Sequence, residues 1–115
     1  MLKETLNKFL ILNGVQAAMV IQENGEIIES MKSGIQISET TKDVLSLFMK
    51  DSDEIAKNQA NAPLSMVFVE FSDNFLILGP LIEEFFLLVI ARNTANIGQI
   101  TFEMKKNKES IISLL

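Results

Sequence analysis

Between Leu64 and Ala91 the chain passes through three apolar stretches, LSMVFVEF, FLIL and FFLLVIA, separated only by SDN and GPLIEE. In the first, Met66 and Phe68 alternate with Val67, Val69 and Phe71, as side chains on opposite faces of a strand do. The other two, Phe75 to Leu78 and Phe85 to Ala91, are apolar at every position. A strand covered on one face alternates; a strand that does not alternate predicts cover on both faces. The connections are too short for helical crossovers, so the three strands must be antiparallel. The pattern predicts a meander at the centre of a sheet, with helices on both sides.

The flanking sequence supplies those helices and two further strands. Leu2, Leu6, Phe9 and Leu10 recur at helical spacing and predict an amphipathic helix over residues 2–12, stopped by Gly14 in the left-handed conformation. VQAAMVIQ, Val15 to Gln22, reads as a strand. Asn24-Gly25 then predicts a two-residue type I′ hairpin, and Glu26 to Lys32 the returning strand. Ser33-Gly34 breaks it, and Ile35 to Ser38 is a loop before a long helix from about Glu39 to Asn61, ended by Pro63. A last helix is expected to start at an Asn93-Thr94 cap and to carry Ile97, Ile100, Met104, Ile111 and Leu115 as one stripe. Gly98 within it is expected to mark close packing on the sheet. No repeat, low-complexity segment or linker interrupts the sequence.

The long helix is apolar over an unusually wide arc. At roughly 100° per residue, Leu47, Val44, Ile55 and Phe48 share one side, and Leu45, Ala56, Met49 and Ala60 continue around the cylinder to about 220°. One side is enough to pack on a sheet. The first group is expected there, and the second, with its two Ala, facing outward for close approach of another helix. The polar run Lys50 to Glu54 falls inside one continuous helix.

Length and composition narrow the chemistry. The 115 residues fit one domain, 1–115, large enough to bury a core without staples. There is no Cys, so no disulfide or thiolate metal site, which fits a reducing cytoplasm; there is no His, which removes zinc sites and Ser-His or Cys-His nucleophiles. Net charge is −5, from 10 basic and 15 acidic residues, the wrong sign for a nucleic-acid partner. No signal peptide is visible, and the longest apolar run, FFLLVIA, is far short of the ~20 residues that span a bilayer. Carboxylate pairs occur at Glu83-Glu84, at Glu23 with Glu26, and in Asp51-Ser52-Asp53-Glu54. The last has neither the Gly nor the late Glu of a calcium loop. Arg92, the lone arginine, reads as a solvated strand end, and Lys105, Lys106 and Lys108 as a solvated helix face. No catalytic, cofactor or metal site is predicted.

The elements in order, with their residues, resemble the roadblock family, the superfamily of dynein light chains and of bacterial and archaeal small-GTPase regulators. The matching features are Gly14-Val15 with Ala17-Ala18, the Asn24-Gly25 hairpin and the Ile-rich strand ending in Ser30, Val67-x-Val69-Glu70, the run Leu87-Leu88-Val89, and Asn93-x-x-x-Ile97-Gly98-x-Ile100. The resemblance implies an α+β, three-layer α/β/α sandwich around a five-stranded antiparallel sheet, in the order helix-strand-strand-helix-strand-strand-strand-helix. It implies a homodimer that pairs the first meander strand with its mate and sets the long helices side by side. The interface residues expected on that basis are Leu45, Met49, Ser52, Ala56, Ala60, Met66, Val67, Phe68 and Val69. The implied role is a non-enzymatic cytoplasmic module that binds and regulates a small Ras-like GTPase, reshaping the partner's own machinery. A small-molecule sensor of profilin-like or PAS-like shape is the competing reading and needs a cavity between sheet and helix. A motor-complex light chain would share fold and dimer.

Overall fold

The structure, a computed structural model, describes residues 1–33 and 38–115; the side chains of Glu39, Thr40 and Lys42 are outside that description. The elements are α1 (Leu2–Leu10), β1 (Val15–Gln22), β2 (Ile27–Lys32), α2 (Glu39–Ala60), β3 (Val67–Phe71), β4 (Asn74–Pro80), β5 (Phe85–Arg92) and α3 (Ile97–Ser113). Their order is the one the hydrophobic pattern predicts. Gly34 and the loop expected from Ile35 lie outside the described residues.

The five strands form one antiparallel sheet in the order β2-β1-β5-β4-β3. The two strands without alternation, β4 and β5, lie side by side, with β5 at the centre of the sheet between β1 and β4, where both faces are covered. Val15, Ala18, Val20, Ile77, Leu87 and Val89 face α1 and α3, packing with Leu6, Phe9, Ile100, Met104 and Ile111. Ala17, Met19, Ile21, Leu78, Leu88 and Ile90 face the other way, onto α2. The three-layer α/β/α arrangement thus follows from strands whose apolar residues leave no face for water.

Several local expectations change. The hairpin after β1 is not a type I′ turn. Gly25 alone has positive φ (+93°), its N–H bonds to the Gln22 carbonyl, and the Gln22 N–H bonds to the Glu26 carbonyl. This is a three-residue loop with glycine in the left-handed position, and Asn24 instead accepts the Glu26 N–H on Oδ1. Gly14 has positive φ (+88°) but does not cap α1, which ends at Ile11. Its role is close approach, since a Cβ there would lie 2.8 Å from the Cβ of Ala95. The last helix starts at Ile97, with Asn96 as its cap accepting the Gln99 N–H, three residues later than Asn93. Gly98 is exposed, and a Cβ there would meet only Asn96 Oδ1, at 3.3 Å. The glycine that lets α3 approach the sheet is Gly79 on β4, where a Cβ would lie 3.1 Å from Met104 Cε.

The long helix is continuous through its polar middle. Ser38 opens it by accepting the Thr41 N–H, and Asn61, left-handed, closes it with its N–H on the Lys57 carbonyl. The first strand of the meander, β3, begins at Val67, and Leu64 only packs against the α2-side core.

Candidate interaction surface

The apolar arc of α2 is oriented opposite to the sequence expectation. Leu45 and Met49 are buried, 5% and 7% exposed, against Ala17, Met19, Ile21, Leu88 and Ile90. Val44, Leu47 and Ile55 are 55%, 63% and 63% exposed, and Phe48 is exposed beside them. Leu45 and Met49 are therefore core in the protomer and do not stand on its outer surface. Ser52 and Ala56 are half-buried, and Ala60 is exposed. A polar contact on one flank goes with this orientation. Asp53 Oδ1 accepts the Leu64 N–H at 3.3 Å, and its other oxygen pairs with Lys57 Nζ at 2.8 Å. That flank must face the connection into β3. By helix geometry, Phe48, Val44 and Ile55 then emerge on the opposite flank and Leu45 and Met49 point down. The salt bridge with Lys57 and the Leu64 N–H hold the Asp53 carboxyl below the usual carboxylate range, and the same bond raises Lys57.

The sheet has two edges, and they are treated differently. β2 carries Glu29 and Lys32, lies under α1, and faces a register shift at Val20/Ile21 in its neighbour. Charge, cover and irregularity are the usual means of blunting an edge. β3, VFVEF, pairs with β4 in unbroken register from Val67↔Leu78 to Phe71↔Asn74, and has one charged residue, Glu70. Val67 packs half-buried on the α2 side and Met66 on the α1/α3 side. Val69 is half-buried, and Phe68 and Phe71 are exposed. An open, apolar, regular edge is thus joined to a helix whose free flank is also apolar. Sequence reading found the arc and the edge but missed Val44, Leu47, Phe48 and Ile55 as the exposed set. Their own spacing marked them as one stripe.

Elsewhere the candidate chemistry disperses. Among the described residues no group of three or more His, Cys, Asp or Glu is placed to hold a metal ion. The Glu83-Glu84 pair caps the β4–β5 turn in the open, with Glu83 left-handed at φ 55°. A hollow of about 510 Å³ is a solvent-open groove between α2 and the two turns, flanked by Glu23, Asp43, Leu47, Lys50 and Glu84. Between α3 and the sheet lies a pit of about 70 Å³, against the roughly 300–1,000 Å³ that a bound small molecule fills. No described helix is long and apolar enough to cross a membrane.

The sequence matches no protein-family model and no curated protein. The fold does have solved counterparts. Myxococcus xanthus MglB superposes with a TM-score of 0.85 at 16% identity, covering 98% of this chain and 93% of that one. A Roadblock/LC7 domain from Streptomyces avermitilis gives 0.84 at 12% identity, covering 96% and 94%. Schizosaccharomyces pombe profilin, at 0.67 and 10% identity over 98% and 94%, is similar to a lesser degree. The chain has the roadblock fold.

Proposed function

We infer that this roadblock-fold chain acts as a homodimer that binds and regulates a small Ras-like GTPase, without catalytic residues of its own. The observations that carry the dimer are the bare β3 edge and the exposed apolar flank of α2, Val44, Phe48 and Ile55. Pairing β3 with its copy extends the sheet across the two-fold and satisfies the free backbone groups of both edges. It carries the two α2 helices toward each other on one face, so that Phe48 and Ile55 leave water. Val67, Phe68 and Val69 remain interface residues on this reading, with Met66 at its border. Leu45 and Met49 support the interface from beneath.

The GTPase rests on the likeness of the fold to the Roadblock/LC7 domain and to MglB. A chain without its own hydrolytic groups changes a GTPase by holding the partner's switch segments, an order–disorder device. Net charge of −5 steers the module toward a basic surface of its partner.

Light scattering on the intact chain at micromolar concentration is expected to give a dimer, and Phe48→Glu with Ile55→Glu a folded monomer. Wild-type monomer would overturn the dimer. The host's Ras-like GTPases, each loaded with GDP or a non-hydrolysable GTP analogue, are then titrated in turn. Nucleotide-dependent binding of one of them is expected. Binding of none overturns the GTPase reading while leaving the dimer standing.

A further inference from the structure

On the face opposite α2, a trough runs between the flank of α3 and the outermost strand. Its floor holds the pit of about 70 Å³, walled by Met66, Gly79, Leu87 and Met104, with Lys105 and Lys108 on the rim. Three features build it. Gly79 lacks the Cβ that would close on Met104 Cε. Met104 points into the sheet from α3, which places Lys108, one turn on, and Lys105 above the same flank. β3 projects past the helix layer. Phe68 faces the same way as its register partner Ile77, a core residue under α1 and α3, yet is 51% exposed because no helix covers it.

The trough has a sign opposite to that of the molecule. The chain carries 10 basic residues against 15 acidic ones, and three of the ten fall within Lys105–Lys108. Lys106 stands over the Phe102 ring, 6.0 Å from its centroid. Among the described residues, Lys105 and Lys108 have no carboxylate partner. Glu103, on the other flank of α3, is turned to Asn107, which donates to its carbonyl and to Oε2 at 2.8 and 3.0 Å, and Glu109, one turn on from Lys105, is exposed and forms no ion pair with either lysine. Two free ammonium groups therefore overhang an apolar pit.

We propose that this trough is a docking site for an acidic amphipathic segment of a partner protein. One aliphatic side chain of the segment fills the pit between Met66, Gly79 and Met104, and its carboxylates meet Lys105 and Lys108. The pit sets the anchor's size. It is about half the volume of a cavity that admits benzene, ~150 Å³, so it takes the end of a Leu, Ile or Val and no aromatic ring. The net −5 of the whole chain opposes long-range approach of such a segment, so recognition depends on these two lysines at short range. The trough is complete within one protomer, and the proposal does not rest on the dimer or on the GTPase.

The test uses the full chain and a synthetic helical Leu/Glu peptide, with its Leu/Lys counterpart and anionic phosphatidylserine vesicles as the other probes. NMR titration with the Leu/Glu peptide is expected to shift the signals of Met66, Gly79, Met104, Lys105 and Lys108 together. Lys105→Glu with Lys108→Glu should weaken that binding about tenfold or more, two exposed pairs being replaced by repulsion, with no change of oligomeric state. Gly79→Ala, which fills the pit, should weaken it while both charges remain. Equal binding of the Leu/Lys peptide, shifts mapping elsewhere, or no saturation at millimolar peptide would overturn the proposal. So would capture by the vesicles through the same lysines without peptide binding, which would make the patch a lipid contact.

Discussion

Asp53 shows how one side chain fixes a larger arrangement. One of its oxygens receives the Leu64 N–H, eleven residues on, and the other holds Lys57 one turn ahead. Its carboxyl is held below the usual range first by Lys57 and then by that N–H. A lowered carboxylate contributes stability that is present above the ordinary carboxylate range and is lost as pH falls through the lowered value. The raised Lys57 acts at the other end, its share being lost only as pH rises through its elevated value. Protection of the Leu64 amide from hydrogen exchange is therefore expected to fall in acid, below the ordinary carboxylate range, while the β1 and β5 amides stay protected. Asp53→Asn retains an acceptor for Leu64 and should flatten that acid dependence. Asp53→Ala should remove the protection at every pH, and an unchanged Leu64 rate in Asp53→Ala would sink the assignment. Nothing in the sequence distinguished this residue. Asp51, Ser52, Asp53 and Glu54 read as a uniform polar stretch, and the partner N–H lies beyond a helix end and a proline.

At the scale of elements, hydrophobic period was legible and rotation was not. The absence of alternation in β4 and β5 required cover on both faces, and the structure has it. The arc on α2 was equally plain, but an arc wider than one face has two ways to sit on a sheet. Periodicity assigns neighbours around a cylinder without saying which of them points down. In the structure the Asp53–Leu64 bond lies on one flank, and Leu45 and Met49, neither of them branched at Cβ, point down, with Met suited to irregular gaps above β1 and β5. Likewise Gly98 and Gly79 were both glycines near α3, and only coordinates tell which one stands at the contact. The corrected rotation is directly testable. Leu45→Glu places an unpaired charge in the core and should cost on the order of 3–5 kcal/mol, a large part of the ~5–15 kcal/mol typical of a domain. Urea denaturation should then find the midpoint sharply lowered, whereas Phe48→Glu leaves a cooperative transition with its midpoint much less changed. If Leu45→Glu folds normally and only changes the oligomeric state, the outward placement of Leu45 would be restored.

For the whole molecule, the two sheet faces and the two sheet edges carry different tasks. The α1/α3 face closes a core and leaves a small lysine-rimmed trough at its border. The α2 face closes a second core and leaves an apolar flank. The β2 edge is guarded and the β3 edge is bare. Exposed Val44, Leu47, Phe48, Ile55 and Phe71 are a liability to a lone chain and a source of stability to a pair, so folding and association should be linked by mass action. The thermal midpoint of the wild-type chain is then expected to climb with protein concentration. Each tenfold rise adds about 1.4 kcal/mol per dimer, or roughly 3–6 °C at this size. Phe48→Glu with Ile55→Glu should lie below it and show no such climb. A substitution on the guarded edge, Glu29→Ala, should leave the slope intact. Calorimetry across a hundredfold range of concentration decides the matter: a wild-type midpoint that does not move means that the bare edge and the apolar flank are not joined to a second copy.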